Sequence, residues 1–153
     1  MEFLQAIEHL WPARVLKGSF FAYPLVNALH IASIGTLFTS VLLMDFATLG
    51  AIRSITTEKL VELLRPIALG AFAFAAVTGL LLFSVQATTY AGNFAFLLKL
   101  GLIALAALNF LVFAASAHRK RSDAPPTAMR ISAVLSILAW SGALLAGRFI
   151  GYL

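Results

Sequence analysis

The chain has no cysteine, which excludes disulfides, thiolate metal sites, iron–sulfur clusters and cysteine nucleophiles together. Charge is the second scarcity: 11% of the 153 residues are charged, 61% are hydrophobic, and mean hydropathy is +0.97. A soluble domain carries about a quarter charged residues, so a water-soluble globule is excluded. Common enzyme motifs are also missing. There is no H-E-x-x-H, no G-x-x-x-x-G-K-[ST], no G-x-S-x-G and no close carboxylate pair in an apolar block, so the chemistries those motifs serve lack their residues. His9, His30 and His118 lie far apart in sequence and do not by themselves make a catalytic zinc centre.

What is present is a series of nearly uncharged apolar blocks, and a helix needs about 20 such residues to span a bilayer. The blocks predict spans over about 24–49, 66–86, 94–117 and 129–153. The fold class expected is all-α, an integral membrane four-helix bundle at 23–153 packed as one domain. Pro24 and Pro66 suit first helical turns, where the missing N–H has no partner to lose. The link AIRSITTEKLVELLR predicts a short surface helix with Glu58 and Glu62 facing Arg65 and Lys59. ATTYAGN reads as an uncharged turn, and HRKRSDAPPTA as a polar loop that cannot enter hydrocarbon.

Residues 1–22 mix Glu2, Glu8, Arg14 and Lys17 with apolar residues at spacings of three and four. They predict an interfacial amphipathic helix, broken near Pro12, that stays in the mature chain rather than a cleaved signal.

The net charge of +5 reports topology before it reports nucleic acid, for which no role is expected. Arg53, Lys59, Arg65, Arg119, Lys120, Arg121 and Arg130 fall on one side, and Arg14 and Lys17 on the other. Seven against two predicts a multi-pass protein of a bacterial inner membrane with both termini periplasmic.

Two stripes of small residues at intervals of four, Ala71–Ala75–Gly79 and Ala139–Ala143–Gly147–Gly151, predict close helix approach. Packing inside one bundle is the first expectation, and a homo-oligomer remains open. Phe72, Phe74, Phe83, Phe110 and Phe113 read as lipid-facing or core-filling.

Polar side chains at membrane depth are costly and therefore informative. They are His30, Asp45, Lys99, Asn109 and Arg148. At ~1.5 Å per residue, His30, Lys99 and Arg148 each fall roughly 8 to 9 Å inside the same ends of their spans. Asn27 lies one turn before His30, and Tyr23, Tyr90, Tyr152 and Trp11 supply an aromatic rim. This layer predicts an outward-facing basic pocket. A neutral imidazole ligates iron, and Lys99 and Arg148 suit the propionates of heme b. The alternative is snorkelling of both cations and a simple interhelical hydrogen bond from His30. His9 is a candidate second metal ligand beside His30. His118 reads as a solvated end residue, Asp45 as a partner of Arg53, Arg65 or Arg130 or as a helix terminator, and Asn109 as an interhelical hydrogen bond.

YPLVNALHIASIG (23–35), MDFATLG (44–50), TGLLLF (78–83) and NFAFLLKLGLIALAALN (93–109) resemble a family of small bacterial four-span membrane proteins of unknown function. The LHI at 29–31 with Gly35, and LKLGLIAL at 98–105, are similar to helices of the membrane heme-binding protoporphyrinogen oxidase and of copper-resistance-D-like proteins. That resemblance implies functional roles for His30 and Lys99. Asn109 stands near where the oxidase has a Tyr-His ending, so the likeness implies heme or porphyrin binding rather than the oxidase activity. Three functions remain open at this stage. They are a b-type heme carrier for electron transfer, a non-redox accessory subunit holding a lipid, quinone, or periplasmic or membrane partner, and, least favoured, a small transporter.

Overall fold

The computed structural model describes residues 2–118 and 126–152, with side chains except at 113–118 and 126. Arg119, Lys120, Arg121 and most of the polar loop lie outside the described residues, as does the His118 side chain.

The elements are α1 (Glu2–Glu8), α2 (Trp11–Gly18), α3 (Ala22–Thr48), α4 (Thr57–Val85), α5 (Ala87–Gly92), α6 (Phe94–His118) and α7 (Pro126–Phe149). No strand occurs among the described residues, and the fold is an all-α bundle. α3, α4, α6 and α7 are each long and apolar enough to cross a membrane. Only 11% to 22% of their most apolar windows are buried inside the bundle, so most of the apolar surface requires lipid as its solvent. The chain is a multi-pass membrane protein.

Two of the expected boundaries are corrected. The surface helix and the second span are one helix, α4, with Pro66 inside it. Glu, Lys and Leu before the proline are strong helix formers. The backbone bond that Pro66 cannot make falls at the Glu62 carbonyl, beside exposed Glu62 and Leu63, where water can serve it. The 87–93 turn is instead the short helix α5. In addition, α7 starts at Pro126 and ends at Phe149, a few residues earlier at each end than expected.

The expected Glu58 and Glu62 ion pairs do not form. The one salt bridge among the described residues is Lys17–Glu8 at 3.2 Å, and Arg65 lies over the Phe110 ring at 5.3 Å. Exposed pairs on a helix gain only a few tenths of a kcal/mol, about 0.2–0.5, too little to hold long side chains together.

α3 ends in a Schellman motif. Gly50, at φ 82°, donates to the Ala47 carbonyl at 3.0 Å, and Ala51 donates to Phe46 at 2.9 Å. A positive φ is what glycine supplies there without steric cost. The turn brings Thr57 close enough to donate to Ala47 at 3.1 Å, so α3 and α4 form one hairpin.

A second hairpin joins α6 to α7, and α3 packs on α7 to unite the two. Among the described residues no Cα of α4 comes within 8 Å of α6. That side of the ring is bridged by side chains: Phe83 stacks on Phe96 at 5.4 Å, and Arg65 covers Phe110. Phe72 meets Trp140 of α7 edge-on at 6.2 Å.

The core itself is made of small residues, including Ala75, Ala106, Ala133, Ala139 and Ala143 with Leu37. In lipid, close backbone approach replaces the hydrophobic drive that water would provide. Asn109 acts as expected. Its amide donates to the Ser132 carbonyl at 3.1 Å, and the Ser132 hydroxyl donates back to its oxygen at 3.0 Å.

The amphipathic segment is two helices rather than one, parted at His9 and Leu10, with Pro12 in the first turn of α2. α2 buries Ala13 and Leu16 against α3 and α4 while Trp11 and Val15 stay exposed. α1 is pinned to α5: Glu8 accepts from the Thr88 backbone at 3.0 Å and from its hydroxyl at 2.7 Å. Those bonds and Lys17 hold the Glu8 carboxyl down to about 2.

Candidate functional site

The site begins with two polar side chains that the bundle must house, one on each hairpin. His30 lies on α3, eight residues in from Ala22, and Lys99 lies on α6, five residues in from Phe94. At ~1.5 Å per residue these are depths of about 12 and 8 Å from the end that carries both termini.

His30 reaches across to α4, with its Nδ1 2.9 Å from the Thr78 hydroxyl oxygen. Thr78 has one hydroxyl hydrogen, and it is donated back to Phe74 at 2.8 Å, with Ala75 at 3.2 Å. The hydroxyl therefore faces the imidazole as an acceptor, and Nδ1 carries the proton. The Ala75 carbonyl lies within reach of the ring as well. With the proton on Nδ1, Nε2 carries the lone pair of the ring.

Next to Thr78 is Gly79, where a Cβ would stand 3.0 Å from His30 Cε1 and 3.7 Å from Nε2. The ring occupies the space that any larger residue would fill. Lys99 is housed the same way on α7: its Nζ and Cδ lie 3.4 Å from where a Cβ on Gly147 would be. The two small-residue stripes thus do two jobs. Ala75, Ala139 and Ala143 bring backbones together, whereas Gly79 and Gly147 each seat a polar side chain from a neighbouring helix. Gly151, past the end of α7, meets nothing within 4 Å.

Lys99 lies within charge–charge range of His30, although α3 and α6 make no backbone contact among the described residues. Arg148 and His9 are not placed with them. α7 stops at Phe149, so Arg148 sits in the last turn rather than five residues inside the helix. Its guanidinium donates to Tyr152 at 2.8 Å and covers that ring at 4.9 Å, on the exposed surface. A cation at a helix C-terminus is favoured by the helix dipole. Asn27 is half-buried one turn from His30. His9 is exposed at the joint of α1 and α2, and no contact joins it to His30 among the described residues. No group of three or more metal-ligating side chains gathers among those residues.

Part of the aromatic rim assembles where α4, α5 and α6 meet. Tyr90 stacks with Phe83 and Phe96 at 6.4 and 5.7 Å. Burial, with Tyr23 nearby, raises its phenol above the ordinary value. Two clefts of about 430 and 460 Å³ are present, one lined by Tyr90 between α5 and the end of α7, the other in the α3–α4 groove. Neither is lined by His30 or Lys99.

Asp45 departs from its expected cation partners. It faces α7, where the Ser136 hydroxyl hydrogen-bonds its carboxyl, and neither Arg53, Arg65 nor Arg130 forms an ion pair with it.

Sequence reasoning missed Thr78 and Ser136, and it identified Gly79 and Gly147 only as members of the small-residue stripes. Comparison with family models, curated proteins and solved structures found no match to this chain.

Proposed function

We propose that the His30–Lys99 pair is a ligand site in the membrane and that its ligand is heme b, with His30 Nε2 as the axial donor. The observation that carries this reading is the His30–Thr78 hydrogen bond. A metal-ligating histidine characteristically donates its other ring N–H to an oxygen, which fixes the tautomer and the ring plane. Lys99 supplies a positive charge of the kind a propionate needs. The donor set fits the group in two further respects. The surroundings are apolar and aromatic, and the α4–α6 side is spaced by side chains rather than by backbone, which leaves a flat ligand a route in. A bound heme would supply one-electron transfer. The chain's residues hold it, exclude water and balance its carboxylates; Arg148 and Asn27 are at most peripheral to that task, and His9 is the candidate for a second donor only if α1 and α2 move.

A second reading is a non-redox subunit in which the pair takes a smaller carbonyl or carboxylate ligand, such as a quinone or lipid headgroup. Neither cleft is lined by the pair, so a ligand smaller than heme b requires less rearrangement of the bundle. We further propose, from seven cations against two, that the membrane is a bacterial inner membrane with both termini outside, where a periplasmic or membrane partner would meet the α1–α2 face.

The absorption spectrum of the detergent-purified protein tests the first reading. A Soret band lost in His30→Ala is expected. A colourless preparation, negative by pyridine hemochrome and unable to take up added hemin, would overturn it. In the second reading Lys99→Ala weakens co-purification of the ligand with no spectral change.

A further inference from the structure

At the opposite end of the bundle stands a group that the His30–Lys99 site does not use. Asp45 is the one acidic residue of α3, and Glu2, Glu8, Glu58, Glu62 and Asp123 all lie outside the apolar blocks. Its carboxyl is turned into the seam between α3 and α7. The Ser136 hydroxyl of α7 hydrogen-bonds the carboxyl, and Oδ2 is buried without a partner, the only such side-chain atom among the described residues. Ser136 is itself 8% exposed and lies ten residues into α7, about 15 Å from that helix's start.

The charged groups of the neighbouring elements do not pair with Asp45 among the described residues. On α4, Arg65 covers Phe110, and Glu58, Lys59 and Glu62 are exposed; on α7, Arg130 is exposed, as is Arg53 in the α3–α4 turn. α2 meets α3 at the far end, and α3 has no other ionisable group besides His30 and Tyr23. Among the described residues no cation pairs with Asp45. A carboxylate with one hydrogen bond and one bare buried oxygen is a costly species in this setting, and a neutral carboxyl is far less so.

We propose that Asp45 is an intramembrane proton-binding site, held as a neutral acid in the α3–α7 seam and charged only when the seam admits water. The ligand is a proton, exchanged with the cation-rich end of the bundle, and the only chemistry is dissociation of the carboxyl O–H. Ser136 hydrogen-bonds the carboxyl in either form and is the one group present to stabilise the anion.

The test uses dicyclohexylcarbodiimide, an apolar reagent that adds to protonated carboxyls in apolar surroundings, on the full chain in detergent. Adducts are mapped by mass spectrometry from about pH 5 to about pH 9. An adduct at Asp45 that declines with rising pH, is absent from Asp45→Asn and exceeds any at Glu58 or Glu62 is expected. Ser136→Ala, which removes the anion's hydrogen bond, should extend labelling to higher pH. No adduct at Asp45, an adduct indifferent to pH, or a Ser136→Ala shift in the opposite direction would overturn the proposal. Should Asp45→Asn fail to fold, infrared spectra of the unmodified protein decide instead: a protonated-carboxyl carbonyl band that titrates away with alkali supports the site, and its absence at about pH 7 refutes it.

Discussion

The Nδ1 of His30 and the hydroxyl of Thr78 stand 2.9 Å apart across the α3–α4 interface, and the hydroxyl's hydrogen is already committed to Phe74. The tautomer of the imidazole is thereby set from the neighbouring helix. Thr78→Val keeps the shape and removes the acceptor. Under the heme reading it should weaken heme affinity by about 10- to 100-fold, the usual effect of losing an outer-shell partner, measured by hemin titration. Thr78→Ser should retain affinity near the parent value.

The two seating glycines should respond differently to alanine. At Gly79 a new methyl would stand 3.0 Å from a ring held by its hydrogen bond, whereas at Gly147 it would stand 3.4 Å from a flexible lysine stem. Gly79→Ala is expected to destabilise the bundle by about 1–3 kcal/mol, as overpacking does. Gly147→Ala should be neutral or stabilising by up to about 1 kcal/mol, because alanine is the better helix former. Reversible unfolding in mixed micelles measures both, and equal losses at the two positions would refute the assignment of Gly79 as the ring's seat.

Lys99 and Arg148 should separate cleanly in a ligand-binding assay. Lys99→Gln is expected to lower affinity for an anionic ligand. Arg148→Gln should leave that affinity unchanged, since the guanidinium is spent on Tyr152 at the exposed end of α7. An equal loss from Arg148→Gln would place that residue back in the site.

The reciprocal Asn109–Ser132 pair links α6 to α7. A double-mutant cycle with Asn109→Ala and Ser132→Ala should give a coupling of about 0.6 kcal/mol and not above about 1.7, the range for such bonds in membranes. The Ser132 carbonyl bond survives Ser132→Ala, so the cycle reads the hydroxyl half alone.

Attachment of α1 to α5 should depend on pH through Glu8. Its carboxyl is lowered from 4.5 to about 2 by Thr88 and Lys17, so the folded arm favours the charged form. The contribution is complete above the ordinary carboxylate range and is lost as pH falls from about 4.5 through about 2. Limited proteolysis at the α1–α2 joint with an acid-active protease should show cleavage rising over that interval. Glu8→Gln should be cleaved readily at every pH tested.

The four spans were legible because hydropathy and length decide them, and the similar depths of His30 and Lys99 were legible from their positions in α3 and α6. Arg148 was not. Its depth was counted from Leu153, and nothing in GRFIGYL marks Phe149 rather than a later residue as the end of the helix. Pro66 was misleading because a proline signals a helix start locally, while the flanking Glu, Lys and Leu residues carry the helix through it. Thr78 was invisible because its partner lies 48 residues away, and a threonine in an apolar span ordinarily bonds only to its own helix. Gly79 and Gly147 were seen as members of stripes, but the sequence contains no mark that distinguishes a glycine touching backbone from one touching a side chain.

The separation of α4 from α6 gives the bundle a spine and a fore-edge. α3 and α7 are bound along the spine, where Asp45 meets Ser136. The His30–Thr78 bond lies within one cover and the Asn109–Ser132 bonds within the other. Parting α4 from α6 would therefore break ring contacts such as Phe83–Phe96 and Arg65–Phe110 but none of these hydrogen bonds. Polar bonds thus tie three seams of the bundle, and side-chain packing alone closes the fourth.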